Sequence, residues 1–276
     1  MSLRVAAYAK LNLSLQVLGR RADGFHDIDS LVRTIDLHDR LTIAMTDDGI
    51  EVANDLDFDG PDIVAVAAQR ILSAKRSIRG VSIRVEKRIP AGAGLGGGSS
   101  DAAAVLRAID SLTPPSLSEE ELASLASDVG SDVALFLIGG LMRMSGRGER
   151  IEPLPASGPE HYAIVVPPIH CATADVYRGW NGEGHDRRRA AKRGENDLME
   201  PAISLHAGLA DVRDAVGELG GVYHGMSGSG SSFFAAFDDA AEAEDAGAAL
   251  RARLPDSAVF VCSSTDAGSG VLREDT

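Results

Sequence analysis

Cysteine is nearly absent: the 276-residue chain has two, Cys171 and Cys262, far apart and without metal-ligand spacing. That excludes a disulfide framework and a cysteine-based zinc site, and it fits a reducing cytoplasm. Basic charge is also in short supply, with 27 Lys plus Arg against 41 Asp plus Glu, a formal net charge of −14 and a pI near 4.9. Such an acidic balance argues against broad nucleic-acid binding. It still allows a phosphate ligand wherever backbone donors and a few cations converge. Long apolar runs are missing as well. No stretch approaches the roughly 20 residues needed to cross a bilayer, and the N-terminal MSLRVAAYAKLNLSLQV is interrupted by Arg4, Lys10 and Asn12, unlike a signal peptide. There is no internal repeat and no long low-complexity tract. What remains, 44% hydrophobic and 25% charged, is enough to bury a core in one large domain or two ordinary ones. The expectation is a cytoplasmic protein with neither a nucleic-acid nor a membrane partner.

Between Leu3 and Val17 every odd position is apolar, while the even ones include Arg4, Tyr8, Lys10, Asn12, Ser14 and Gln16. This period of two predicts a strand, bent or broken given its length, with Lys10 and Asn12 on one face. Taken alone, that face reads as solvated. After the turn-rich RRADG, an extended stretch is expected around Leu37 to Ala44. Pro61 and Asp62 then open a helical pattern through Ile63, Val66, Ala67 and Ile71, proline suiting the first helical turn. Val81, Ile83 and Val85 mark a strand running into Lys87 and a glycine-rich segment. Ser118 with Glu121 forms a capping box before a helix that stops at Gly130. Asp132 stands at the start of the apolar run from Val133 to Ile138. The Pro, Gly and Ser of EPLPASGPE at 152–160 suggest a boundary between two α+β units.

The sharpest motif is Pro90-Ala91-Gly92-Ala93-Gly94-Leu95-Gly96-Gly97-Gly98-Ser99-Ser100, followed by the helix-forming DAAAVLRAI. Glycines let the backbone approach a ligand, and the N-terminus of the following helix points its N–H groups at negative charge. A nucleotide phosphate is the natural occupant, and a tight small-residue turn beneath a helix is the plainer alternative. The motif is neither a Walker-type P-loop nor a clean dinucleotide fingerprint. Ser99 or Ser100 has three possible duties, contacting phosphate, touching Mg²⁺ or capping the helix, and capping is expected of at least one.

PAGAGLGGGSSDAA resembles the signature of the GHMP small-molecule kinases. AKLNLSLQVLGRRADGFHDIDSL from Ala9, GSDVALFL from Gly130 and HGMSGSGSSFFAAF from His224 narrow the resemblance to the branch that acts on 4-diphosphocytidyl-2-C-methyl-D-erythritol. The resemblance spans nearly the whole chain. It implies an α+β, two-domain GHMP kinase fold, with a kinase domain at 1–152 and a ferredoxin-like domain at 153–276. It implies phosphorylation of the substrate's 2-hydroxyl in non-mevalonate isoprenoid precursor synthesis, with ATP as co-substrate and Mg²⁺ beside it.

Carried over position by position, Lys10 and Asp132 match the catalytic pair, with Asp132 as base and Lys10 as charge compensator. Asn12, Phe25, His26, Thr173 and Tyr177 match substrate contacts, a cytosine being held between Phe25 and Tyr177. Phe25 replaces the family's common tyrosine, so a phenolic hydrogen bond is lost while stacking can persist. Lys87 and residues 90–100 match the nucleotide site. Asp62 stands where relatives carry Asn, which loses the amide donor of an adenine contact. No protein ligand to the metal is assigned, and a monomer or weak homodimer is expected. The residues keep plainer readings: a capping Asp132, an exposed turn His26, a core-packing Tyr177, a flexible turn at 225–232 and a solvated basic run at 187–193. The competing functions are another GHMP kinase for a small alcohol, which would have no cytidine for the GFH and Thr173–Tyr177 segments, and a silent metabolite sensor, which would have no use for both Lys10 and Asp132.

Overall fold

Strand β1 (Ser2–Arg20) and strand β2 (His26–Thr46) pair antiparallel along nearly their whole length. In this computed structural model, which describes residues 2–54, 62–75, 80–155, 158–182 and 190–271, they are the spine of the molecule. Register shifts at Tyr8/Ala9, Asn12/Ser14 and Val17/Gly19 interrupt the ladder, as the length of the pattern predicts. The RRADG turn closes with Arg21 N–H donating to Phe25 C=O at 2.8 Å and Gly24 at φ 87°, a left-handed conformation suited to glycine.

Around this pair, β4 (Gly80–Glu86) joins one half of β2 and β5 (Leu141–Gly146) the other. Strand β3 (Gly49–Asn54) runs parallel to β4, with α1 (Ile63–Lys75) between them in the chain. Strand β6 (Arg150–Leu154) extends β5, and β11 (Ser269–Val271) returns from the far end of the chain to pair with β1. Helices α2 (Gly97–Leu112), α3 (Glu119–Val129) and α4 (Val133–Ile138) pack with α1 against this seven-stranded sheet. Ala102, Ala103 and Ala104 are fully buried and bring α2 close to the strands. The Ser118–Glu121 capping box forms as its spacing predicts.

The second unit reads β7 (His161–Val166), α5 (Thr173–Gly179), α6 (Met199–Leu205), α7 (Gly208–Gly217), β8 (Tyr223–Met226), β9 (Phe233–Phe237), α8 (Ala240–Arg253) and β10 (Ala258–Ser263). Its antiparallel sheet runs β10-β7-β9-β8, a βαββαβ arrangement of ferredoxin-like type. One face of that sheet meets its own helices, where Ala163, Val165, Phe233 and Ala235 lie with Leu209 and Leu250. The other packs Tyr162, Ile164 and Phe234 against Ala9, Leu11, Leu13 and Ile35 of the first unit. The two units therefore share a core. The division expected after residue 152 falls inside β6, whose Pro153 and Leu154 still pair with β5, and the second sheet begins at His161.

This packing overturns one reading of the periodicity. The even face of β1 is not solvated: Lys10, Asn12, Ser14 and Gln16 are all buried. Lys10 and Asn12 instead face the glycine loops of both units.

Candidate active site

The reacting end is built from β1 outward. Lys10 sits at the middle of the strand, its N–H bonded to Leu95 C=O at 3.0 Å. Its ammonium donates to Asn12 Oδ1 and to Gly94 C=O, the latter at 2.7 Å. Asn12 is held from three sides, because its Nδ2 donates to Ser30 Oγ at 2.8 Å and its backbone N–H to Ser227 Oγ at 3.0 Å. Ser227 Oγ in turn donates to Gly94 C=O at 2.9 Å, and Ser232 Oγ to Ala93 C=O at 2.6 Å. The glycine segments at 90–98 and 225–232 are thereby docked onto each other. A Cβ on Gly94 would lie 2.2 Å from Ser227 C=O, so only glycine permits this approach.

Burial pulls the Lys10 ammonium below its ordinary range, and the nearby Asp132 carboxylate partly offsets that pull. Asp132 occupies the N-cap position of α4, yet its side chain caps nothing. Its carboxylate faces the same cavity as Lys10, a space of about 1330 Å³.

Along the next wall runs the loop at 90–96. Helix α2 begins at Gly97, with Gly96 at its N-cap in a left-handed conformation and no side chain bonded to its leading amides. Gly96, Gly97, Gly98 and Ser99 at that end line the cavity, and a helix N-terminus there suits an anion. Ser99 and Ser100 lie within the first turn, and neither caps the helix, contrary to expectation. Glycine fills the cap because a Cβ at position 96 would meet Phe136 Cζ at 2.6 Å. Ser99 lines the cavity; Ser100 is buried and does not.

Lys87 also lines the cavity, but its ammonium is neutralised from behind by Asp39 and by Asp101, the latter at 2.7 Å. Asp39 Oδ1 also accepts the N–H groups of Arg88 and Ile89 at 2.5 and 2.8 Å. The entry to the glycine loop is thus fastened to β2, and Asp101 beyond its far end is tied back to that entry through Lys87. Burial raises the Asp101 carboxyl well above its ordinary range against the opposing pull of Lys87. Asp62, which lacks the amide donor of the Asn its relatives carry there, spends Oδ1 on the N–H of Val64 at 2.9 Å, at the start of α1.

The opposite end of the cavity is aromatic. Phe25, at the tip of the β1–β2 hairpin, is 54% exposed. The His26 ring lies 5.1 Å from that of Tyr177, tilted by 30°, and meets Trp180 edge-on at 5.7 Å. Burial and Arg20 hold the His26 imidazole below its ordinary range and favour the neutral ring. Tyr177 packs against the cores of both units, and burial first, then Asp132, push its phenol upward. The simple Phe25–Tyr177 pair read from sequence is therefore a wider arrangement in which His26 already covers Tyr177. Thr173 Oγ1 lies 3.0 Å from Ser229 Oγ, joining α5 to the second glycine loop.

Of the residues picked out in the sequence, Lys10, Asn12, Phe25, His26, Lys87, 90–99, Asp132, Thr173 and Tyr177 line this one cavity; Ser100 alone stays outside its wall. The segment 225–232, picked out in the sequence for the approach of its backbone to the reacting end, contributes Gly228 and Ser229 to the wall, while Asp39, Asp101, Trp180 and Asn196 were missed. Asn196 is buried and its Nδ2 donates to Met226 and Gly228 C=O, both at 2.8 Å, holding the second loop in place. Trp180 lies just past the end of α5 in extended backbone, so helical spacing from Tyr177 does not place it. Asp39 and Asn196 carry no local signal. Of the basic run, Arg187 to Arg189 lie outside the described residues. Arg193 is not simply solvated: it pairs with Glu160 and touches the Tyr223 hydroxyl at 3.1 Å.

Residues 62–140 match the model of the GHMP kinase N-terminal domain and residues 185–256 that of the GHMP kinase C-terminal domain. A protein of Desulfitobacterium hafniense named 4-diphosphocytidyl-2-C-methyl-D-erythritol kinase is 36% identical over 265 residues, covering 90% of this chain and 91% of that one. A relative of the same name from Brevibacillus brevis is 34% identical and covers 99% of both chains. A crystal structure of 4-(cytidine 5'-diphospho)-2C-methyl-D-erythritol kinase superposes with a TM-score of 0.83 at 36% identity, over 96% of this chain and 99% of that one. A homoserine kinase from Cytophaga hutchinsonii, at 21% identity and TM-score 0.77, shares the fold. The fold and the paired glycine loops are those of the GHMP kinases. Within them, the chain belongs to the 4-diphosphocytidyl-2-C-methyl-D-erythritol kinase family.

Proposed function

We propose that this protein transfers the γ-phosphate of ATP to the 2-hydroxyl of 4-diphosphocytidyl-2-C-methyl-D-erythritol, in the supply of isoprenoid precursors. The observation that carries the reading is the meeting of Lys10, Asp132 and the amide end of α2 in one cavity with an aromatic far wall. Phosphoryl transfer asks for an alcohol in line with the γ-phosphate, a base for its proton and compensation of charge on the transferring oxygens. Asp132 takes the proton, since its carboxylate is not spent on capping. Lys10 compensates charge and fixes the alcohol together with Asn12. The leading amides of α2 and the loop at 90–96 hold the triphosphate. Thr173, Phe25, His26 and Tyr177 hold the cytidine end, and Lys87 positions the loop from beneath.

Mg²⁺ carried with the nucleotide would offset the charge on its phosphates. Asp101 would be the residue to hold it beside the loop, as it lines the cavity and its Oδ1 has no partner among the described residues. The kinase works in the cytoplasm without nucleic acid or membrane. A monomer or weak homodimer suffices, because one chain supplies every group named. The domain division is best placed in the linker between β6 and β7, with β11 returning to the first domain.

An assay of ATP consumption with the cytidyl substrate, mevalonate, homoserine and galactose tests the reading. Turnover of the cytidyl substrate is expected. Strong turnover of one of the others alone would overturn it.

A further inference from the structure

Helix α4 is too short to hold itself in place. It has 6 residues, and the final C=O groups of a helix find no partner within it. Yet this helix carries the base, because Asp132 is its N-cap residue. Its position has to come from its neighbours.

Three groups meet it near its end. Leu137 C=O accepts Arg107 Nη2 of α2 at 2.9 Å. The Phe136 ring, fully buried, reaches the head of the glycine loop, where the place of a Cβ on Gly96 lies 2.6 Å from Phe136 Cζ and 3.2 Å from Lys10 Cγ. Phe136 C=O meets a segment that arrives from the second unit, between β10 and β11. Where Gly268 carries only a hydrogen, a Cβ would lie 2.1 Å from Phe136 C=O and 3.1 Å from Gly139 N. A Cβ on Gly139, whose φ is 76°, would lie 2.1 Å from Gly268 N. Two backbones cross there with no side chain between them.

The same segment is clasped to β2 just before the crossing. Thr34 Oγ1 accepts Gly140 N–H and donates to Thr265 C=O, both at 2.8 Å, and Thr34 C=O accepts Thr265 N–H at 2.9 Å. Beside it the buried Arg33 pairs with Asp266 at 3.1 Å, while its Nε and Nη1 have no hydrogen-bond partner among the described residues. The crossing is thus held from both sides of β2's Thr34.

We infer that Gly268 is a positioning residue for the base: the returning segment at 264–268 sets the place of α4, and through it where Asp132 stands against Lys10. This rests on the reading of Asp132 given above. From Phe136 back to Asp132 is about 6 Å of helix. Val133 to Leu137 are all buried, so close packing passes a displacement along instead of absorbing it. The second unit, which supplies the Ser227 loop, in this way also places the base carried by the first.

The test is steady-state kinetics with ATP and the cytidyl substrate, below the melting temperature of every variant. Gly268→Ala pushes Phe136 C=O aside and should lower kcat by about tenfold to a hundredfold, the scale of an ångström's misplacement, with both KM values within about twofold. Placed on top of Asp132→Asn, the same change should cost less than about twofold further, because a base already lost cannot be misplaced. Asp266→Asn, which loosens the segment without overlap, should lower kcat by about three- to tenfold and be equally silent in that background. As a control, Gly80→Ala puts a Cβ 2.4 Å from the Asp48 backbone in β4, toward the β3 edge of the sheet and away from β11; it should lower the melting temperature and leave kcat unchanged. Unchanged kcat in both Gly268→Ala and Asp266→Asn, a loss carried in KM, or losses that add in full to that of Asp132→Asn would overturn the inference. If Gly268→Ala does not fold, Asp266→Asn decides on the same criteria. An unchanged rate in Asp132→Asn alone would overturn the base and this inference together. Turnover of another alcohol only would overturn the substrate reading by itself, and the same cycle run with that alcohol then decides the inference.

Discussion

The two ends of the cavity are built on opposite principles. At the reacting end the polar groups around Asp132 are buried and tied down. Lys10, Asn12, Ser30, Ser227 and the Gly94 carbonyl form one closed set, and Asn196 fastens the loop behind them. At the aromatic end, side chains meet face to edge and Phe25 is half in solvent. Buried polar networks hold atoms to the geometry that chemistry needs, at the cost of desolvating charge. Loosely packed aromatic surface tolerates a ligand's arrival and departure and supplies affinity by contact. The difference teaches that rate and affinity are written into separate parts of the same cavity. Substitutions should separate them.

The largest effect is expected from Asp132→Asn. The isosteric amide leaves the fold and ATP binding in place, and turnover should fall by about 10²–10⁴-fold, the worth of a positioned general base. Single-turnover phosphorylation measures it; an unchanged rate would remove Asp132 from the role of base.

Lys10→Met keeps the stem and removes the charge. Turnover should drop by about 10²–10³-fold with little change in affinity for the cytidyl group. The same residue predicts opposite pH trends. Because its ammonium ionises below the ordinary 10.5, activity is lost on the alkaline side at lower pH than a solvent-exposed lysine would allow. In that window the unfolded chain binds the proton that the folded one has released, so this group's contribution to stability rises with pH. A pH–rate profile beside a pH–melting profile checks both trends, and both should vanish in the Met variant.

Next comes Phe25→Ala. Loss of one stacking surface is worth about 1–3 kcal/mol, roughly five- to more than a hundredfold in substrate affinity. Affinity for an unreactive ATP analogue should stay within error; a shared loss would mean general damage instead of a lost clamp.

Smallest is Tyr177→Phe, which keeps the ring against His26 and both cores while deleting the hydroxyl. We expect a change in substrate KM below about threefold, since the removed atom contributes little to stacking. A large fall in turnover with KM unchanged would show instead that the phenol beside Asp132 takes part in the proton transfer.

Much of this was legible along the chain, and the reason is periodicity combined with glycine. Alternation placed Lys10 and Asn12 on one face, and the loop at 90–98 announced a helix that starts at an anion site. What alternation does not report is what covers a face. The even positions of β1 look solvent-directed until the second unit closes over them. The Lys87 pairing was hidden for a similar reason: Asp39 lies 48 residues before it and Asp101 14 after it. Both are brought in by sheet and helix packing, with nothing local to mark them. Ser99 and Ser100 look like caps by composition, but the close approach of Phe136 requires a residue without Cβ at Gly96, and the helix starts about one turn earlier than serine preference suggests. His26 on Tyr177 joins a hairpin tip to a helix of the other unit, a contact only the assembled fold defines.

One strand bears on how such a molecule can be cut. Val5 and Ala7 of β1 belong to the core beneath the helices of the first unit, Ala9, Leu11 and Leu13 to the layer between the sheets, and Leu15 and Val17 to the core of the second unit. A fragment ending at the linker before His161 would carry away the inner face of a sheet it no longer possesses, and would leave its own edge beside Val5 without the partner at Val271. The halves are thus distinct in topology and inseparable as expressed pieces. A permuted chain that joins the end of β11 to the start of β1, strands paired in the same sheet, would keep every layer intact and is the rearrangement the architecture tolerates.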